Sequence, residues 1–269
     1  MEDFLSFFKN LSSLGKLGFI VGSMALFWVL EGAYPAIKLK YDKWRHAKTN
    51  LVLLGTTILI NVLFGLLTVG AFSALQQNEF GILYLFELPV WLELVVAVML
   101  LDFLAQFTVH YILHKTPVLW RFHQVHHSDT HVDVTTGTRH HPGDYIFREL
   151  FSLLAIVIGG IPFAYYMVYR ILTVVCTYFT HSNIVLPRGL DKLLSSVIVT
   201  PNMHKFHHHF EQPWTDSNYG NILSIWDRIF GTFVYDDIHK IKYGLDVLDD
   251  SRSMDLMYQL KVPLDKKSD

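Results

Sequence analysis

Three separate apolar stretches are each long enough to cross a lipid bilayer, and they limit the fold of this 269-residue chain most strongly. Each is close to the roughly 20 residues that span the hydrocarbon core of a membrane. A soluble all-α protein with an apolar core is the alternative, but so short a chain has little room to bury three such stretches. The sequence therefore predicts an all-α integral membrane protein whose first three spans cover about residues 17–37, 51–72 and 83–107.

A fourth apolar region, residues 147–179, is too long for one span and is interrupted by Gly159, Gly160 and Pro162. Glycine and proline punctuate helices, so this region predicts two tightly connected helices that form a re-entrant hairpin. We expect about four transmembrane or re-entrant helices with a cytosolic helical cap, in one functional domain. Its predicted parts are the N-terminal membrane helices (1–108), a histidine-rich region with the hairpin (109–235) and a cytosolic tail with a frayed end (236–269).

The charges of the predicted loops set the orientation. Residues 38–48 contain five Lys or Arg, whereas residues 73–81 contain none. Cytosolic loops carry the excess of positive charge, which places the first loop inside and the second outside. The third span then returns to the cytosol, and the hairpin begins and ends there. Both histidine-rich segments are therefore predicted to lie in one compartment, at the cytosolic face of a multi-pass protein.

The 15 histidines stand against a single cysteine, Cys176. One cysteine forms no internal disulfide, and it excludes all-cysteine zinc sites and iron–sulfur clusters. Lys and Arg (22) nearly balance Asp and Glu (24), so no basic excess indicates nucleic acid binding. A metal site in this chain would have to be built from imidazole.

Three histidine elements have helical spacing that puts their side chains close together. Eight buried imidazoles would be costly without a metal that takes their lone pairs. One metal does not use eight ligands, so the pattern predicts two metals, and imidazole suits Zn, Cu, Fe and Ni alike. The predicted ligands are His110 and His114 (HxxxH), His123, His126 and His127 (HxxHH), and His204, His207 and His208 (HxxHH).

The remaining histidines carry weaker predictions. His141 and His181 are further candidates for the metal, with a structural role as the alternative. Three others are expected behind the ligands or on the surface, and two are expected on the surface because they lie far from the cluster in sequence. These are His131, His140 and His209, and then His46 and His239.

The motifs and their flanks resemble the fatty acid hydroxylase and sterol desaturase superfamily over residues 102–233. The similar segments read HQVHHSDTHVDVTTGTRHHP, PNMHKFHH and TDSNYGNILSIWDRIFGTF, and Asp102 suits the acidic residue of the family's preceding helix. After the last histidine element, Asn218 is expected to hydrogen-bond a ligand. Asp227 is a candidate for the same role, although a structural role in the helix and turn is favoured.

The resemblance implies an enzyme with two iron ions that uses O2 to hydroxylate or desaturate a lipid. It also implies an external electron donor protein, cytochrome b5-like or ferredoxin-like. A membrane metal-binding or transport protein is the first alternative, but it would place histidines inside the spans. A haem protein with two axial histidines is the second, and it leaves the other histidines unexplained.

Overall fold

The computed structural model describes residues 1–265, and within that range the chain is helical and contains no β-strand. This agrees with the predicted all-α class. Twelve α-helices are found in the described part of the chain: α1 (Glu2–Lys9), α2 (Ser13–Ala33), α3 (Lys43–Asn78), α4 (Val90–Asp102), α5 (Val109–Lys115), α6 (Pro117–His127), α7 (Pro142–Gly159), α8 (Phe163–His181), α9 (Arg188–Leu194), α10 (Pro201–His207), α11 (Ile225–Ile229) and α12 (Leu256–Lys261).

Three helical segments are long and apolar enough to cross a membrane: Ser13–Ala33, Lys43–Leu85 and Val90–Lys115. They coincide with the three predicted spans. Their outward faces are apolar, as at Leu66, which is 81% exposed. In water such a face would be unfavourable, whereas lipid chains solvate it without cost.

Helix α3 is longer than the sequence predicted. Its 36 residues extend about 54 Å, well beyond a hydrocarbon core of roughly 30 Å. The helix includes residues 43–48, which were predicted as part of a charged loop. Its start is set by Asp42, whose side chain accepts a hydrogen bond from the Arg45 amide. The predicted boundary was wrong because apolar content marks the membrane core and not the end of the helix.

Helices α7 and α8 form the predicted pair of tightly connected helices. Gly160 ends α7 in the left-handed conformation (φ 65°), and Pro162 precedes the first residue of α8. A side chain at Gly160 would lie 2.5 Å from the carbonyl oxygen of Phe80, so the connection also packs against the chain before α4. The pair packs with α3 and α4 around a core that includes Leu101, Ile156 and Tyr169, and α2 packs against α8 beside it.

The predicted tail is ordered and packed as far as Asp265, although the frayed end expected at its last residues lies outside the described range. Val262 is buried against Val125 of α6. Gln259 accepts a hydrogen bond from the Ser128 hydroxyl, just after the first HxxHH element. The C-terminal segment therefore supports the histidine-bearing helix α6 directly.

Candidate metal centre

Two groups of buried histidines lie side by side where α5, α6, α8 and α10 meet. Within each group, one potential ligand atom per residue lies within 4.8 Å of all the others. We name them the five-histidine group (His110, His114, His123, His127 and His207) and the four-histidine group (His126, His181, His204 and His208). The structure thus brings together all eight predicted ligands and His181.

Each HxxHH element contributes to both groups. In α6 the i, i+4 pair His123 and His127 faces the five-histidine group, whereas His126 between them faces the other group. At α10 the order is reversed: the pair His204 and His208 belongs to the four-histidine group, and His207 belongs to the five-histidine group. Around a helix, i+4 lies about 40° to one side of i and i+3 about 60° to the other side, so the adjacent residues i+3 and i+4 can face two different centres from one short helix.

The ring nitrogens converge at distances that suit metal ligands. The Nε2 atoms of His110 and His123 are 3.0 Å apart. In the four-histidine group, His181 Nε2 lies 3.2 Å from His126 Nε2 and 3.0 Å from His204 Nε2. Two nitrogens bound to one metal at about 2.0–2.1 Å lie about 3 Å apart when their bonds are perpendicular. Each group therefore has the dimensions of a metal-binding site.

The opposite nitrogen, Nδ1, is held by the protein in several of these histidines. Backbone carbonyl oxygens accept from Nδ1 of four of them, which fixes the tautomer and points the Nε2 lone pair at the centre. The pairs are His110 with Tyr219 (2.8 Å), His207 with Ser217 (2.7 Å), His181 with Thr177 (2.8 Å) and His126 with Arg139 (3.2 Å).

Two carboxylates orient histidines of the five-histidine group. Asp216 lies 3.2 Å from His114 Nδ1, and Asp144 lies 3.3 Å from His123 Nδ1. Asp144 also pairs with Arg148 Nε at 3.0 Å and with His140. Sequence reasoning missed both carboxylates. The usable signal was an aspartate next to each motif, two residues before Asn218 and three residues after His141.

Several buried ring nitrogens of these histidines have no hydrogen-bond partner within residues 1–265. Such nitrogens are expected where a metal ion binds. An unpaired polar atom in a dry interior costs free energy, and a metal ion removes that cost by accepting the lone pair. The unpartnered atoms are both ring nitrogens of His127 and His208, Nε2 of His114 and His207, and Nδ1 of His204. The residues present therefore fit a metal in each group.

Burial keeps these histidines neutral, as metal ligation requires. It lowers the pKa of His123 and of His181 to about 3, since the charged form loses its hydration. For the other members outside the spans, burial and the neighbouring imidazoles hold the pKa well below the ordinary histidine value: His126, His127, His204, His207 and His208. At neutral pH the lone pairs of both groups are therefore available.

His141, the other further candidate, lies outside both groups. Its Nδ1 accepts a hydrogen bond from the Gly143 amide at the start of α7 (3.0 Å), and its Nε2 lies 3.3 Å from the Leu260 carbonyl oxygen. It caps a helix and ties that helix to the C-terminal segment. We therefore leave His141 out of the ligand set proposed below.

Asn218 and Asp227, the two candidates for a hydrogen bond to a ligand histidine, form hydrogen bonds with backbone groups. Within residues 1–265 the Asn218 side chain forms no hydrogen bond to a histidine: its amide donates to the carbonyl oxygens of Met203 and Val234. Asp227 accepts from the amides of Tyr219 (2.7 Å) and Gly220 (2.9 Å), and so holds the turn whose carbonyl orients His110. The contacts of Asp227 are those of the favoured structural role, whereas the hydrogen bond expected from Asn218 to a ligand is not found among the described residues.

Asp102 has the same kind of role as Asp227. Its carboxylate accepts from the amides of Ile222 and Leu223 and from the Trp226 indole (2.9 Å), which ties the end of α4 to the segment after the last histidine element.

The prediction that His46 lies on the surface was wrong. The side chain is 1% exposed, and it lies 2.8 Å from Asp129 and 3.1 Å from Asp133. It sits on the part of α3 that extends past the membrane core, which the sequence assigned to a loop. His239 is exposed as predicted, and His140 stacks on His126 with ring centroids 4.8 Å apart.

The sequence is similar to a known protein family and to several characterised proteins. The model of the fatty acid hydroxylase family matches residues 94–232. An alkylglycerol monooxygenase from Danio rerio is 34% identical over 51% of this chain and 29% of its own length. An ornithine lipid hydroxylase from Rhizobium tropici is 30% identical over 54% of this chain and 43% of its own.

A cholesterol 25-hydroxylase-like protein from Danio rerio is 23% identical over 78% of this chain and 85% of its own length. The chain thus spans less than half the length of the first two relatives. No solved structure is significantly similar to it.

Proposed function

The chain belongs to the fatty acid hydroxylase family, and from that premise we propose that it is a membrane-bound, non-haem di-iron enzyme that hydroxylates a lipid with O2. The observation that carries the proposal is the pair of adjacent buried histidine groups whose nitrogens converge. The relatives above are named for hydroxylation or monooxygenation of lipids, which favours hydroxylation over desaturation.

In this proposal the five-histidine group holds one iron ion and the four-histidine group the other. When bound, the two ions supply the activation of O2 that oxidation of an unactivated C–H bond requires. One oxygen atom enters the C–H bond, the other leaves as water, and two electrons and two protons are consumed. The chain offers one cysteine, too few for an iron–sulfur cluster of its own. An external donor, cytochrome b5-like or ferredoxin-like, is therefore proposed as the source of the electrons.

The protein's own contribution is to hold the ligands and keep water out. Asp144 and Asp216 keep His123 and His114 in the tautomer that directs Nε2 inward. Trp120 packs on the His114 ring with centroids 4.8 Å apart and on the His127 ring with centroids 5.3 Å apart. A dry, preorganised site prevents the oxidising power from being lost to solvent.

We place the centre at the cytosolic end of a multi-pass protein. Support comes from the basic residues at 38–48, next to the end of α3 that contacts the histidine-rich region through His46.

The test is incorporation of oxygen from labelled O2. Iron-loaded protein in lipid nanodiscs with a reductase and donor is expected to place one labelled atom in a lipid. His126→Ala and His207→Ala, one from each group, should reduce this by at least about 100-fold while membrane insertion is unchanged. The exposed His239→Ala variant is the control. Full activity in either ligand variant would contradict the proposal, and metal binding without lipid oxidation would favour the metal-binding alternative.

A further inference from the structure

An apolar surface is exposed where α9 and α11 meet, outside the three membrane-spanning segments. Leu193 of α9 is 70% exposed and Ile229 of α11 is 67% exposed, nearly as much as Leu66 in the second span. Exposed apolar patches on a folded protein mark interaction sites more often than single exposed residues do. We name it the α9–α11 surface, and its exposed apolar side chains are Leu190, Leu193, Val197, Ile229 and Phe230.

The two helices are fixed to each other by hydrogen bonds at one residue. The carbonyl oxygen of Ser195, which follows α9, accepts from the Ser224 hydroxyl (2.7 Å) and from Arg228 Nη2 (2.8 Å). The Ser224 amide also donates to the Val197 carbonyl oxygen (3.0 Å). The apolar side chains of α9 and α11 therefore belong to one surface with a fixed shape.

Aromatic contacts place α11 beside the third membrane-spanning segment and not beyond its end. Phe230 stacks on Phe103 and Phe107, with ring centroids 5.7 and 5.2 Å apart. Both partners belong to the span Val90–Lys115. Phe107 comes eight residues before the end of that span, which is about 12 Å along the helix axis.

This distance puts Phe230 at the depth of the hydrocarbon core. The 26-residue span is about 39 Å long, about 9 Å more than a core of roughly 30 Å. Even if that whole excess lay at the cytosolic end, Phe107 would still be inside the core. Because Phe230 packs on Phe107 and is itself exposed, the open side of α11 faces acyl chains and not water.

The charges of α9 and α11 agree with a position at the membrane interface. Asp191 and Asp227, the acidic residues of the two helices, are buried, so the exposed charges of both helices are basic. Helical spacing gives α9 an apolar and a basic face, with Leu190 and Leu193 on one and Arg188 and Lys192 on the other. Helices of this kind lie in the interface of a leaflet that contains anionic lipid.

We propose that the α9–α11 surface is embedded in the cytosolic leaflet, with Leu193, Ile229 and Phe230 among the acyl chains and the basic side chains at the lipid phosphates. The inference rests on the membrane location in the proposed function and not on its chemistry. A soluble partner protein does not reach the depth of Phe107, so lipid is the occupant.

The embedded helix is connected directly to the candidate metal centre. Asp227 of α11 accepts from the amides of Tyr219 and Gly220, and the Tyr219 carbonyl oxygen accepts from His110. One carboxylate and one turn therefore separate the lipid-facing surface from a predicted metal ligand. The five-histidine group lies beside the leaflet and not in a cap that is surrounded by water.

Spin labels on single cysteines in a Cys176→Ala background test the depth of the surface. The protein is placed in nanodiscs with anionic phospholipid, and collisions with O2, which partitions into acyl chains, are compared with collisions with a water-soluble nickel chelate. We expect the ratio of O2 to nickel collisions for Leu193→Cys and Ile229→Cys to exceed that for Val247→Cys by at least about fivefold. Val247 is the matched control, an exposed apolar residue of the C-terminal segment, and Leu66→Cys reports a lipid-facing span.

Equal ratios for Leu193→Cys, Ile229→Cys and Val247→Cys would overturn the embedded surface, because the labels would then face water. Low collision rates with both reagents, or dipolar broadening between labels on two copies, would overturn it in favour of a protein occupant. If Leu66→Cys also collides mainly with the nickel chelate, the membrane location fails, and the proposed function fails with it. If the ratios are as expected but no lipid is oxidised, only the proposed function fails and the embedded surface stands.

Discussion

Asp216 sets the orientation of His114 through a contact of 3.2 Å, and it also pairs with Lys115. We expect Asp216→Asn to weaken metal binding about 10–100-fold, because carboxylates behind histidine ligands raise ligand basicity and fix the ring. Metal competition with a chelator measures this. Asp236→Asn is the control, since Asp236 forms an exposed pair with Lys240. Equal metal affinity in both variants would show that the Asp216 contact does not support the site.

His46 pairs with Asp129 and Asp133 and so connects α3 to the segment after the first HxxHH element. Replacing it with alanine leaves Asp129 and Asp133 buried without their partner. Breaking a buried pair from one side costs about 3–5 kcal/mol, and we expect a loss of this size in unfolding free energy, measured in detergent. His239→Ala should change stability by less than about 0.5 kcal/mol. A His46→Ala variant as stable as the His239→Ala variant would contradict a stabilising role of these buried pairs.

At the residue scale, spacing alone predicted which eight histidines cluster, because a helix dictates which neighbours share a face. The division of His123, His126 and His127 between two groups was not predictable, since it depends on where α10 lies relative to α6. Long-range partners such as Asp144 or His46 are set by tertiary packing, which leaves no local periodic signal.

At the element scale, the π-helical turn Phe103–Thr108 joins α4 to α5 within one continuous span. A π-helical turn has more residues per turn, so it changes the direction in which the following side chains point. Asp102, before the turn, faces the segment at Ile222, and His110, after it, faces the candidate metal centre. The apolar pattern runs through the turn without interruption, so hydropathy predicts the span and not the shift. The Gly160 break, in contrast, was predictable from composition.

Gly160 gives the test at this scale. Its φ of 65° is a left-handed conformation, and a Cβ there would lie 2.5 Å from a backbone oxygen. We expect Gly160→Ala to destabilise the protein by more than the about 1–2 kcal/mol that this conformation alone costs. Gly189→Ala is the control, because no atom lies within 4 Å of its Cβ position. Thermal unfolding in detergent measures both, and equal midpoints would contradict the close packing of the hairpin.

At the scale of the whole molecule, a two-iron centre requires both histidine groups on one side of the membrane. In a Cys176→Ala background, single cysteines replacing the exposed Lys40 and Gln77 are expected to react with a membrane-impermeant thiol reagent from opposite sides. The Lys40 position should be accessible from the cytosolic side. Labelling of both from the same side would contradict the topology.

The metal content of the purified protein tests the central claim most directly. Nine buried histidines in two adjacent groups are expected to hold two iron ions per chain, with no Soret band in the visible spectrum. His126→Ala and His207→Ala should each reduce the content towards one. One or no metal per chain in the unmodified protein, or a Soret band, would contradict the two-iron centre.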